Sequence, residues 1–197
     1  MKYNPDIHHR RSIRLKEYDY SRAGLYFVTI CTQNRECLLG NIENGEMIAN
    51  DAGTMIHRQW QALPDRFHAI EMHEFIVMPN HIHGIAAIDP RRGDPCDRPF
   101  FCKTPEGDHK GDHKGDHKDR PYGTLPGTIG RMVQAFKSIT THEYINGVKR
   151  SGWQPFPGKL WHRNYYEHII RDEVAYLKVA DYIKTNPLKW AEDTYYV

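Results

Sequence analysis

Two short stretches of this chain carry residue types that do chemistry, at spacings that bring them together. The first is Met78-Pro79-Asn80-His81-Ile82-His83-Gly84. On an extended strand, residues two apart face the same way, so His81 and His83 project side by side while Ile82 points into the opposite layer. Two adjacent imidazoles are half a site for a divalent cation; the same pair also serves as two buried, hydrogen-bonded histidines. A three-histidine phosphate motif is excluded, because the next in-register residue is Ile85. The second stretch is Asp181-Tyr182-Ile183-Lys184-Thr185-Asn186-Pro187. Tyr182 and Asn186 lie four apart and share a helical face with Ala175 and Val179. A phenol oxygen is a nucleophile and an amide oxygen a hard metal ligand. The plainer alternative is a packing tyrosine followed by the Asn-Pro that stops a helix.

The elements that must position these groups can be read from the pattern. Leu25 to Thr32 is β-branched and aromatic, with no Gly or Pro inside it, and predicts a first strand. Strands at Cys37–Ile42 and Glu46–Ile48 flank Asn44-Gly45, a two-residue hairpin signal. Asn50 or Asp51 caps a helix carrying Ala52, Met55, Ile56, Trp60 and Leu63, stopped by Pro64. Strands from Ala69 to Met78 and from His81 to Ile88 are separated by Pro79-Asn80. A second helix is predicted from Leu125 to Ile145, with Ile129, Met132, Val133, Phe136 and Ile139 as its apolar stripe. An aromatic, extended segment follows from Leu160 to Arg171. Asp172 then caps a last helix, from Glu173 to Thr185. This order predicts an α+β fold, with helices on one side of a mostly antiparallel sheet.

Composition narrows the class. In 197 residues, 39% are apolar and 26% charged, which excludes wholesale disorder and is consistent with one domain. No apolar run is long enough to span a membrane, and the start, MKYNPDIHHRRSIRLK, lacks a signal-peptide core. The four cysteines form no CxxC pair, so a reducing cytoplasm is expected. A net charge of +2 gives no general polycation argument. The basic charge is local: Arg10, Arg11, Arg14 and Lys16 make either a solvated N-terminal arm (about residues 1–20) or one that lies along phosphates. Residues 90–122 are proline-rich and contain GDHK three times over 107–118. A polar tetrad repeat buries no face, so this insert is expected to be a disordered loop.

Taken together, the pieces RRSIRLKEYDY, YFVTICTQNRECLLG, FIVMPNHIHGI, WHRNYYEHIIRDE and DYIKTNP resemble the REP-associated tyrosine transposases. These are bacterial relatives of the single-tyrosine HUH transposases, where U is any hydrophobic residue. The resemblance runs in order through most of residues 10–190 outside the insert. It implies a ferredoxin-like or RRM-like antiparallel sheet, with the histidines on a central strand and a nucleophilic tyrosine on a C-terminal helix. His81 and His83 would be metal ligands and Tyr182 the nucleophile. Asn186, standing where the wider class commonly has a glutamine, would be a further ligand. The implied cofactor is Mg²⁺ or Mn²⁺, bound more weakly as pH falls through the imidazole range near 6.5. The implied partner is single-stranded or hairpin DNA of repetitive palindromic elements, cut through a covalent 5′-phosphotyrosine by a cytoplasmic monomer or homodimer. The alternative is a hairpin-binding protein with little or no catalysis. Within the WHRNYYEHIIRDE piece, Tyr165 and Tyr166 are rival nucleophiles, and His168 is a possible assistant to Tyr182. Arg171 either holds phosphate or pairs with Glu167 or Asp172. Trp161 and Tyr165 either stack on bases or pack in the core.

Deleting residues 107–118 is expected to leave the denaturation midpoint unchanged. A loss of stability beyond about 1 kcal/mol, the scale of one ordinary substitution, contradicts the unpacked repeat.

Overall fold

The computed structural model describes residues 23–89 and 128–196. The basic residues Arg10, Arg11, Arg14 and Lys16 and the GDHK repeat lie outside the described residues. The elements in chain order are β1 (Gly24–Cys31), β2 (Gly40–Glu43), β3 (Glu46–Ala49), α1 (Asp51–Gln61), β4 (Ile70–Met78), β5 (His81–Ile88), α2 (Ile129–Ser151), β6 (Tyr166–Ile170) and α3 (Glu173–Thr185). A 3-10 turn, Asn186–Glu192, continues from α3.

The main sheet has four strands in the order β4-β5-β1-β6, and β5 is antiparallel to both neighbours. β6 is antiparallel to β1, so β1 and β4 run the same way on either side of β5. With α1 between β1 and β4 and α2 between β5 and β6, this is the βαββαβ arrangement of ferredoxin-like folds. The β2–β3 hairpin is a separate two-stranded sheet. Its turn has Asn44 at φ 52° and Gly45 at φ 79°, the double positive-φ geometry that Asn-Gly favours. Residues 37–39 are not strand: the Leu39 N–H bonds to the Pro79 carbonyl at 3.0 Å, tying this segment to the entry of β5.

Helices cover both faces of the sheet, which corrects the one-sided arrangement expected from the pattern. Alternation along the strands decides which face each residue serves. Tyr26, Val28 and Ile30 of β1 and Ile82, Ala86 and Ile88 of β5 join Met55, Ile56 and Trp60 of α1 and Met132, Val133 and Phe136 of α2 in one core. Phe27, Ile85 and Ile170, from the alternate positions, form a smaller core with Ala180 and Ile183 of α3. The mixed burial of β1 shows the same thing: Tyr26, Phe27, Val28, Thr29 and Ile30 are all buried, as expected of a strand covered on both sides.

Caps and turns set the remaining boundaries. Asn50 accepts from the Gly53 N–H, Thr128 from Arg131 and Asp172 from Ala175, the side-chain caps of α1, α2 and α3. α2 continues past Ile145 to Ser151 and ends at Gly152, which takes the left-handed φ of 67°. Of the aromatic segment 160–171, only Tyr166–Ile170 is strand. Trp161 instead makes an isolated bridge to Thr32, and its indole N–H donates to buried Thr140 at 2.9 Å. Trp161 is therefore core rather than a base-stacking surface.

Gly84 is required by Trp60. A Cβ at position 84 would lie 2.3 Å from the indole, which is itself stacked on Phe75 at 4.7 Å. Gly84→Ala is expected to destabilise the fold by about 1–3 kcal/mol through overpacking, read as a lower urea midpoint. An unchanged midpoint contradicts the packing of Trp60 on this strand.

Candidate metal and nucleophile site

The register of β5 on β1 builds the site. Thr29 is opposite His83 and Cys31 opposite His81, so both imidazoles emerge on the α3 side of the sheet. They are fully buried. The second ring nitrogen of each is held from behind. Asn80 donates its amide protons to the carbonyls of Arg35 and Tyr195, which fixes its Oδ1 as an acceptor. His81 Nδ1, 2.8 Å from that oxygen, is therefore the donor, and His81 Nε2 keeps its lone pair. His83 Nδ1 lies 2.8 Å from the Thr29 hydroxyl. Such hydrogen bonds from behind orient metal-binding imidazoles.

The two Nε2 atoms face each other at 3.0 Å. Two ligands at right angles on an ion with bonds of about 2.1 Å are about 3 Å apart, so this spacing matches neighbouring positions around an octahedral cation. A third donor arrives from a part of the chain whose local pattern carries no cue. Asp193, just after the 3-10 turn, brings a carboxylate to the pair; the ligand atoms of His81, His83 and Asp193 all lie within 4.8 Å of one another. These three residues could hold a metal ion.

Asn186 sits at the junction of α3 and the 3-10 turn, 2% exposed. Its Nδ2 donates to Asp193 at 2.8 Å, while its buried Oδ1 has no hydrogen-bond partner. An orphaned acceptor on the residue that holds the Asp193 carboxylate fits a cation, whose coordination would satisfy it. Imidazole nitrogen with carboxylate and amide oxygen suits Mn²⁺ or Mg²⁺ better than a closed thiolate site would.

Tyr182 completes the group. α3 lies along the sheet with Ala175, Val179, Ala180 and Ile183 against Phe27 and Ile85, and a Lys184–Glu74 ion pair of 3.0 Å joins its end to β4. This brings the Tyr182 oxygen within 3.2 Å of His83 Nε2. Its ring is 6.1 Å from Phe27, edge-on, and the residue is 40% exposed. Burial, then the charge of Asp193 and the neighbouring Tyr195, push the phenol up to about 12, with Asn186 pulling it back. A cation beside Asp193 would offset the second of these causes.

The other sequence-predicted residues are more dispersed. Tyr165 packs against the larger core and donates to Glu167 at 2.8 Å. Tyr166 lies opposite Thr29 on the histidine side of the sheet, and it is Tyr182 that reaches His83. His168 is exposed and opposite Phe27, and it is His83 whose Nε2 lies 3.2 Å from the Tyr182 oxygen. Arg171 is exposed between β6 and α3.

Sequence reasoning missed the C-terminal segment. Tyr195 lies 4.7 Å from the His81 ring and Trp190 5.9 Å from it. The segment is pinned by Arg35 donating to the Thr194 carbonyl at 2.9 Å and by the Tyr195 N–H on Asp193 at 2.7 Å. The Asn-Pro stop signalled the end of a helix; nothing in the local pattern signals a return to the histidines.

Comparison with solved structures bears on the fold. The chain overlays on a REP-associated tyrosine transposase bound to a REP hairpin with a TM-score of 0.53 and 18% identity, over 91% of this chain and 74% of that one. The fold is that of this transposase class. No family model matches the sequence. The chain belongs to the same family as an uncharacterised protein of Haemophilus influenzae, to which it is 41% identical over 196 residues, 100% of this chain and 98% of that protein.

Burial, with a smaller contribution from Arg35, lowers His81 to about 3. Burial and then His81 also lower His83 well below the ordinary imidazole value, against Asp193. Competition between protons and metal is thus displaced below the range near 6.5 expected from free imidazole. The folded state resists a proton that the unfolded chain takes up below about 6.5, so stability is full above that pH and declines towards 3. In metal-free buffer, His81 alone is expected to account for about 2 kcal/mol of the stability lost between pH 7 and 5. His81→Gln should lose correspondingly less over that interval in urea denaturation. Equal losses in both proteins contradict a buried, neutral His81.

Proposed function

We propose that this protein is a divalent-metal-dependent single-stranded DNA endonuclease and strand transferase that cuts near DNA hairpins. The observation that carries the reading is the Tyr182 oxygen 3.2 Å from His83, within a cluster of His81, His83 and Asp193. A nucleophile against a hard-ligand cluster is the constellation for phosphoryl transfer, and the hairpin-bound relative in fold supports a nucleic acid as substrate.

His81, His83 and Asp193, with Asn186 Oδ1 as a further donor, would hold Mg²⁺ or Mn²⁺. That ion would polarise the scissile phosphate and stabilise the charge developing on it. Tyr182 attacks phosphorus: the phenolic O–P bond forms, the P–O3′ bond breaks, and the strand is left as a 5′-phosphotyrosine and a free 3′-OH. The phenolic proton leaves to solvent, to which the half-exposed ring is open, and the departing 3′ oxygen takes one up. Because the phosphodiester energy is kept in the phosphotyrosine, a second 3′-OH can reverse the step and join strands without ATP. Phe27 and the α3 packing hold the phenol at the cluster and so supply orientation. Arg171 and the basic residues Arg10, Arg11, Arg14 and Lys16 are proposed contacts to the DNA backbone.

The test uses 3′-labelled single strands from the DNA flanking the gene, with Mn²⁺. The wild type should form a covalent protein–DNA adduct that is lost in EDTA. Tyr182→Phe should abolish the adduct with strand binding nearly unchanged, and Asp193→Ala should reduce it at least tenfold. An adduct that survives in Tyr182→Phe and disappears in Tyr166→Phe contradicts the assigned nucleophile.

A further inference from the structure

A cavity adjoins the histidines on the same face of the sheet. It has a volume of about 580 Å³ and lies between the turn after β1, residues 31–35, and the segment 162–166 that enters β6. Thr29 and Cys31 are part of its lining, as are Asn34, Asn164 and Tyr166, and Tyr195 lines it too. Two of these residues also touch the metal cluster. Thr29 is hydrogen-bonded to His83 at 2.8 Å, and the Tyr195 ring is 4.7 Å from that of His81.

The walls are held in place before any ligand arrives. Lys137, from α2, donates to the carbonyls of His162 at 2.8 Å and Asn164 at 3.0 Å, so one ammonium gathers the segment before β6. The His162 N–H on the Cys31 carbonyl, at 2.9 Å, and the Gln33 N–H on the Leu160 carbonyl, at 2.8 Å, join the two walls. Asn34 and Arg35 adopt φ of 57° and 58°, a left-handed pair that bends the chain around the mouth. The Arg35 guanidinium stands 5.6 Å from the Tyr195 ring centre, at the end nearest the site.

The chemistry of this cleft is that of a base-recognition site. Asn34 and Asn164 offer amide donors and acceptors, which pair with base edges. Tyr166, half exposed, offers a ring on which a base can stack. Arg35 supplies a cation for the backbone beside it. The volume falls in the usual range of small-ligand sites, and a base still paired in a duplex has its edge occupied. We propose that this cavity receives one unpaired nucleobase of the strand whose phosphate lies at Tyr182, with Asn34, Asn164 and Tyr166 determining which base is accepted. The inference rests on the single-strand cleavage reading above and names where that strand's sequence is read.

The experiment measures binding, so that it is independent of cleavage. Full-length Tyr182→Phe protein is titrated, by fluorescence anisotropy, into single strands from the DNA flanking the gene, each with one nucleotide replaced by an abasic residue. One position is expected at which removing the base weakens binding at least about fivefold, the lower end of one stacked base. That sensitivity should vanish when Tyr166→Ala is added, persist with Tyr166→Phe, and weaken with Asn164→Ala. Strands that bind with no sensitive position, or with a sensitivity unchanged by both alanine variants, overturn the base pocket while the single-strand reading stands. Absence of binding to every strand overturns both.

Discussion

The whole site hangs on the antiparallel register between β5 and β1. Opposing Thr29 to His83 and Cys31 to His81 puts both imidazoles on the α3 side and leaves Ile82, Ala86 and Ile88 for the larger core. Because strand side chains alternate, a slip of one residue would exchange these sets. The histidines would then meet Trp60, and the isoleucines would lose their core. The site and the core are two faces of one pairing, and Gly84 is where they constrain each other, since the indole packs directly on its backbone.

Burying two imidazoles beside a half-buried carboxylate is costly unless each polar atom has a partner. The surrounding chain supplies most of them. Asn80 and Thr29 take the outer nitrogens, Tyr195 and Asn186 donate to Asp193, and Arg35 ties down the C-terminal segment that carries it. The exception is Asn186 Oδ1. An unsatisfied oxygen on the side chain that holds Asp193 is where a bound cation would have most to add. The same carboxylate that helps raise Tyr182 to about 12 is the natural partner for that cation. A cation bound there would couple to the phenol through Asp193.

Much of this was legible in the residues. The Asn-Gly hairpin, the helix caps at Asn50 and Asp172 and the alternation around His81 and His83 are local signals, and each reappears in the structure with its expected geometry. The four-residue spacing of Tyr182 and Asn186 likewise survives as one helical face, with the phenol at His83. What was not legible depends on chain segments far apart in sequence. The separation of α3 from α1 and α2 follows from which alternate positions of β1 and β5 remain uncovered, and Phe27 reads simply as one more apolar residue in a strand. Asp193 and Tyr195 lie beyond a helix stop, in a segment without periodicity, and their place at the histidines is set by Arg35 and Asn80.

In the proposed site, His81, His83 and Asp193 hold one divalent cation beside Tyr182. Anomalous diffraction from crystals grown with Mn²⁺ tests it most directly. One strong manganese peak is expected about 2.1–2.3 Å from the Nε2 atoms of both histidines and within bonding distance of the Asp193 carboxylate. A manganese peak confined to the histidines of the GDHK repeat, or none at His81 and His83 at saturating Mn²⁺, would contradict it.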